Sequence, residues 1–280
     1  MGVRSEATLV ETEDVKVLVD PGAALGPRRY SLPPHRLELE KLEELTDVVR
    51  DHARASDVLI ITHYHYDHYI PSEPELYEGK ILLIKHPTEK INYSQRKRAS
   101  EFIKCVEPVA KEVRYADGGE FRFGSTKIRF SSPVYHGEVG TRLGFVVMAS
   151  ISDGKEKFLH GSDAQGPIDD SARDWIIGEN PDLAVIDGSI TYMIGFRLGW
   201  KVFLHGLDNL AAILRESDKL RKLIYDHHLV RDLSYKEKIS KNPEISREIG
   251  KKIVTAMEFL GRENNFLEAN RKRLYEKFPK

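Results

Sequence analysis

The chain has 280 residues, with 43 Lys and Arg against 44 Asp and Glu for a formal net charge of -1, and a single cysteine, Cys105. That length can bury a full core unaided, while one cysteine excludes both an internal disulfide framework and a multi-thiolate zinc site. Near-neutral charge argues against bulk attraction to nucleic acid or membrane, and with no bilayer-length apolar run or apolar leader core a cytoplasmic protein is expected.

Residues 7–12 and 15–20 are β-rich runs about Glu13-Asp14 and predict a hairpin. Pro21, Gly22, Gly26 and Pro33-Pro34 predict an irregular loop, and apolar residues at helical spacing predict an amphipathic helix over 37–55. Residues 58–61 are a short buried strand leading into a histidine-rich segment, and 80–84 are a second such strand ending at His86-Pro87. A charged helical excursion follows over 88–110. Its R-K-R run at 96–98 reads as a solvated face, a lid or an oligomer contact, and Cys105 as a half-buried helix residue. Strands are expected at 112–115, 120–123 and 126–131, then a hairpin of 144–151 with 157–159 about Asp153-Gly154. A helix over 173–178, a strand over 183–186 stopping at Asp187-Gly188, a helix over 207–216 and a strand over 222–225 complete the pattern. The charged remainder predicts a helical C-terminal extension, 233–280, on a single domain spanning 1–280. Strands mixed with helices in both halves give an α/β class. Only two glutamines among abundant Glu, Lys and Arg suit a thermophile.

The segment after the strand at 58–61 reads T-H-Y-H-Y-D-H. In an extended backbone His63 and His65 share one face and Asp67 continues the alternation. His68 breaks it, so the chain must turn there and aim a second set of ligands elsewhere. One extended pair and one turned pair can serve two neighbouring metal ions. Imidazole with carboxylate suits zinc, iron or manganese.

This His-x-His-x-Asp-His motif after a buried strand resembles the signature of the metallo-β-lactamase superfamily. Further marks of that superfamily follow in order: Asp20 in V-L-V-D-P-G, His136 in S-S-P-V-Y-H-G-E-V-G, Asp163 in F-L-H-G-S-D-A, and His227 or His228 in Y-D-H-H-L-V-R. The resemblance spans most of the chain and implies a four-layer αββα sandwich with a dinuclear centre at one edge. It implies His63, His65 and His136 on one ion, Asp67, His68 and a late histidine on the other, and Asp163 bridging. His227 is the expected late ligand, because the ribonuclease Z-like branch has a ligand histidine followed by three residues and arginine. His228 is the alternative ligand, or a catalytic acid facing substrate. Asp20 is expected to orient a ligand from behind. The implied cofactor is two divalent ions, zinc first, with manganese or iron as alternatives.

The implied reaction is hydrolysis by a hydroxide bridging the ions, with Asp67, Asp163 and His228 as catalytic residues. A phosphodiester or small phosphate ester, including nucleotide-type substrates, leads. Carboxylic ester, thioester or lactone hydrolysis is the alternative, and a non-catalytic scaffold for RNA or protein the third reading. Among the remaining histidines, His35 and His52 read as solvated, and His86 as structural. His160 reads as structural or as support for the centre, and His205 as a residue lining the pocket from above. Tyr64 and Tyr66 read as packing residues, and no motif sets an oligomeric state.

Overall fold

The computed structural model describes residues 1–278. A first sheet consists of β1 (Thr8–Glu11), β2 (Lys16–Val19), β3 (Val58–Ile61), β4 (Ile81–Ile84) and β5 (Glu112–Tyr115), neighbours in that order. Its opening pair is an antiparallel hairpin and the other pairings are parallel. Parallel pairing needs crossovers, and α1 (Arg36–Ala55) and α2 (Tyr93–Val106) provide two of them.

The chain then enters β6 (Glu120–Phe123), β7 (Thr126–Phe130), a separate ribbon of β8 (Val134–Tyr135) with β9 (Phe145–Val146), β10 (Ala149–Ser152) and β11 (Lys157–His160). After α3 (Asp170–Glu179) come β12 (Leu183–Asp187), α4 (Trp200–Glu216) and β13 (Lys222–Asp226). Four short helices, α5 (Tyr235–Ile239), α6 (Pro243–Glu248), α7 (Ala256–Phe259) and α8 (Arg271–Lys277), and a strand, β14 (Ile253–Val254), end the fold. The second sheet runs β14-β13-β12-β11-β10-β7-β6.

Alternation along the strands sets the layers. Val17, Val19, Val58, Ile60 and Leu83 pack against Ile128, Phe130, Ala149 and Ile151 between the sheets. The intervening residues Leu18, Leu59, Ile61, Leu82 and Ile84 turn outward onto Val49 and Ala53 of α1 and Phe102 and Val106 of α2. On the far side Leu159, Ala184, Ile186 and Leu223 meet Ile176 of α3 and Phe203, Leu207 and Leu210 of α4. Strands covered on both faces must be apolar throughout, as V-L-I-I and I-L-L-I are. The result is the expected αββα sandwich. Among the described residues no helix is long and apolar enough to cross a membrane.

Several expectations shift. Helix α4 starts at Trp200 rather than 207, because Gly206 reads as a breaker although it lies inside the helix. A Cβ there would sit 2.9 Å from the Gly166 carbonyl oxygen, so tight packing rather than a turn requires the glycine. The strand expected over 144–151 is split into β9 and β10, since Val147 N–H leaves the ribbon to donate to Thr62 O (3.2 Å). The C-terminal extension is not wholly helical, because Ile253 and Val254 extend the sheet beside β13. Cys105 is exposed on α2, not half-buried.

His35 is also not solvated. It is 2% exposed and caps α1, its Nδ1 accepting Leu37 N–H (3.3 Å) while Glu38 accepts the His35 N–H (2.8 Å). Glu38 in turn forms a two-point pair with Arg271 of α8, both distances 2.8 Å and both side chains fully buried. The Arg271 guanidinium also donates to the Gly26 and Leu32 carbonyls, tying the C-terminal segment to the loop after β2. Arg271→Ala leaves the Glu38 charge buried without its partner, so unfolding in denaturant should show a loss of about 3–5 kcal/mol. A loss below about 1 kcal/mol would mean that the segment is held by its apolar contacts instead.

Candidate metal centre

The parallel strands point their C-terminal ends at one edge of the sandwich, where crevices form in open α/β sheets. Asp20 follows β2, the histidine motif follows β3, Asp163 follows β11, Asp187 ends β12 and His227 follows β13. His136 arrives on the loop between β8 and β9. Asp20, Ser162 and His227 have φ of 49°, 50° and 52°, a left-handed conformation that costs non-glycine residues about 1–2 kcal/mol each. Concentrated here, it marks sharp turns that aim the side chains.

The strand ends at Ile61, and the motif turns at Tyr66 and Asp67. His68 N–H donates to the His65 carbonyl (3.0 Å), closing a turn that sends His68 to the opposite side. The Asp20-Pro21-Gly22 loop lies directly on this turn, and a Cβ on Gly22 would come 2.2 Å from the Tyr69 nitrogen.

Two donor groups result. His63 Nε2 and His136 Nε2 lie 3.0 and 3.1 Å from His65 Nδ1, and Asp163 Oδ2 is 3.0 Å from His136 Nε2 and 3.6 Å from His63 Nε2. On the other side Asp163 Oδ1 is 3.3 Å from His68 Nε2 and 3.5 Å from His227 Nε2, and Asp67 Oδ2 is 3.5 Å from His227 Nε2. Four donors on a tetrahedral ion at about 2.0–2.1 Å lie about 3.3 Å apart, so both sets have the spacing of a metal site. The two oxygens of Asp163 face different groups.

Buried atoms support that fit. His68 Nε2 and Asp163 Oδ1 are buried without a hydrogen-bond partner, as few native polar atoms are. The opposite ring nitrogens are fixed: His68 Nδ1 lies 2.8 Å from Asp20 Oδ2, and His63 Nδ1 lies 3.2 Å from Thr62 Oγ1. Asp20 also accepts Thr62 N–H (2.8 Å), so one carboxylate holds both arms of the motif. Such contacts set the tautomer that leaves Nε2 free.

The charge states suit cation binding. Burial, aided by neighbouring imidazoles, holds His63 well below the ordinary histidine range and brings His65 down to about 3. Burial alone would raise Asp67 and Asp163, yet hydrogen bonds and the charges of His68 and His227 hold both well below the usual carboxylate range. For His68 burial is outweighed by Asp163 and Asp20, which raise it and favour positive charge at that ring. A cation at Nε2 meets the same demand.

The late pair divides its work. His227 Nε2 faces Asp67 and Asp163, whereas His228 is held by Asp187 through its Nδ1 (2.8 Å) and its backbone N–H (2.9 Å). Burial and then the Arg231 charge lower His228 well below its usual range. Burial and then Asp163 and Glu6 raise Asp187 well above its own. Both directions favour the uncharged forms, and the hydrogen bond that joins the two side chains lies at the cavity wall.

The sequence marks Asp187 only as the end of a strand, and its one signal of a further role is an Asp-Gly there like the Asp-Pro-Gly of Asp20. His205 lies outside the pocket lining, on the exposed face of α4, bonded to Asp170 (2.8 Å). His160 is buried between Glu6 O (3.0 Å) and Ser162 N–H (3.2 Å), supporting the β11 turn through the backbone. Tyr64 is a packing residue, fully buried, but Tyr66 is 53% exposed beside the cavity, because the turn starts one residue after His65. Arg98 of the R-K-R run stands 5.1 Å over the Tyr66 ring and lines the same cavity, so that face is not wholly solvated.

No protein-family model matches the chain. It is 45% identical over 282 residues to the UPF0282 protein of Korarchaeum cryptofilum, covering 100% of this chain and 92% of that protein. Among solved structures it is similar to an isothiocyanate hydrolase from Delia radicum gut bacteria, with a TM-score of 0.54, 13% identity, and 90% and 94% of the two chains covered. The metallo-β-lactamase fold protein YhfI of Bacillus subtilis aligns with a TM-score of 0.46 and 18% identity over 80% of this chain and 78% of that one.

Proposed function

The chain belongs to the UPF0282 family and has the metallo-β-lactamase fold, and from that premise we propose that it is a dinuclear metal-dependent hydrolase of phosphodiesters or small phosphate esters. The observation that carries the reading is Asp163, whose two oxygens face two complete donor groups. His63, His65, His136 and Asp163 would hold one ion, and Asp67, His68, His227 and Asp163 the other. Imidazole-rich sets favour zinc, with manganese or iron as alternatives. Two divalent ions so placed supply hydroxide from water near neutral pH and polarise a phosphoryl oxygen.

The chain's own residues do the rest. A cavity of about 790 Å³ opens over His65, Asp67, His136, Asp163 and His228, large enough for a small ester. Its wall carries arginines on several sides, including Arg28, Arg142 and Arg197. Such walls attract anions, which favours a phosphate ester over a neutral carboxylic ester. The His228–Asp187 pair is positioned to hand a proton to a departing alkoxide.

Purified protein supplied with zinc or manganese should contain about two ions per chain and hydrolyse bis-p-nitrophenyl phosphate, with loss of both on chelation. Two ions with turnover of thioester or lactone probes alone would replace the phosphoester reading. Two ions with no turnover of any probe would favour a scaffold, and a chain free of metal would end the proposal.

A further inference from the structure

Although the whole chain is near neutral, its cavity is not. Among the described residues seven arginines and no lysine line it, and beyond Asp67 and Asp163 the lining acids are Glu138 and Glu268. Glu268 is committed to Arg4, with contacts of 2.8 and 2.7 Å. Two of the remaining guanidiniums differ from ordinary surface arginines.

Arg231 is 5% exposed, yet its Nε has no partner. Its Nη2 sits 2.8 Å from His227 Nε2, and the carboxylate oxygen facing it, Asp67 Oδ2, is 4.0 Å away. Arg29 donates through Nη2 to the Arg231 carbonyl (3.1 Å), and its buried Nε is also unpartnered. Its guanidinium lies 4.3 Å over the Tyr192 ring and 4.8 Å over the Tyr30 ring, which fixes its plane without neutralising it.

A buried guanidinium without a close counter-charge is costly, and native structures keep one where a ligand completes it. His227 Nε2 also faces Asp67 and Asp163, and an ion held there would take the place of the Arg231 hydrogen bond, but Arg231 Nε is unpartnered and open to an anion with or without that ion.

Charge balance then indicates what the anion is. Two divalent ions against Asp67 and Asp163 leave two positive charges, which one hydroxide and one phosphodiester anion cancel. Arg29 and Arg231 stand outside that balance. Paired guanidinium forks match the charge and the oxygens of a phosphate dianion. We infer that Arg231 and Arg29 form a second anion subsite beside the metal centre, and that the substrate is a phosphodiester carrying an additional phosphate monoester group. This inference rests on the hydrolase reading for its substrate, but not for the subsite itself.

Two measurements test it. The metal-loaded chain is assayed on thymidine 5′-(p-nitrophenyl phosphate) with and without a 3′-phosphate, two esters with the same scissile bond. The 3′-phosphorylated ester should have a kcat/KM higher by about tenfold or more, carried by KM, as expected for a charge-assisted two-point contact. Arg29→Gln and Arg231→Gln should each bring that ratio toward one. A native ratio near one, or an unchanged ratio in both variants, overturns the substrate assignment.

Separately, binding of inorganic phosphate to chelator-treated protein is followed by calorimetry. Saturable binding that weakens at least about fivefold in both variants supports the subsite, on the scale of losing one charged hydrogen bond. Absent binding, or binding indifferent to both substitutions, overturns it. If neither ester is turned over, the phosphoester reading and the substrate assignment fall, and the calorimetry still decides the subsite. Circular dichroism and the thermal midpoint establish that each variant is folded.

Discussion

Asp163→Asn should empty both halves of the metal centre and lower phosphodiester hydrolysis by about 10³-fold or more, the scale seen when a charge-stabilising group is lost. Oδ2 lies 3.0 Å from His136 Nε2 and Oδ1 lies 3.3 Å from His68 Nε2, so Asp163 faces both donor groups. The amide keeps the shape but removes the negative charge and turns one oxygen into an N–H donor, which cannot face a cation. Elemental analysis per chain and initial rates on bis-p-nitrophenyl phosphate measure the outcome. A variant that keeps two ions and a rate within about tenfold of the native chain would exclude Asp163 as the shared ligand.

The adjacent histidines should then separate by metal content. His227→Ala should take the protein from about two ions per chain to about one, whereas His228→Ala should keep both and slow hydrolysis by about 10²–10⁴-fold. The difference follows from aim: His227 Nε2 is 3.5 Å from both Asp67 Oδ2 and Asp163 Oδ1, while Asp187 pins the His228 ring from behind. If His228→Ala empties a site and His227→Ala does not, the assignment is reversed. Asp187→Asn should reproduce much of the His228→Ala loss without lowering metal content, because it changes the hydrogen bond that holds that ring.

Much of the layer order is legible in short apolar runs. V-L-I-I and I-L-L-I have no polar face, and strands of that kind must be covered on both sides. What misled was local and physical. Gly206 looks like a stop signal, but it marks the place where α4 meets the Gly166 backbone. His35 is flanked by prolines and charges, yet a helix start needed its ring as a cap. Tyr66 follows the alternation on paper, but the chain turns before alternation can place it.

The sequence by itself determined the chemistry on offer: imidazole and carboxylate without thiolate, spaced so that one turn separates two donor sets. These are local facts, because the motif's candidate ligands lie within six residues and their aim depends on a single turn. Only the tertiary structure decided what lies opposite. The separate oxygens of Asp163, the Asp187 clamp on His228 and the unpartnered Nε atoms of Arg29 and Arg231 join residues far apart in the chain. They meet because parallel strands end at one edge, and no local pattern records which side chains face each other across that edge.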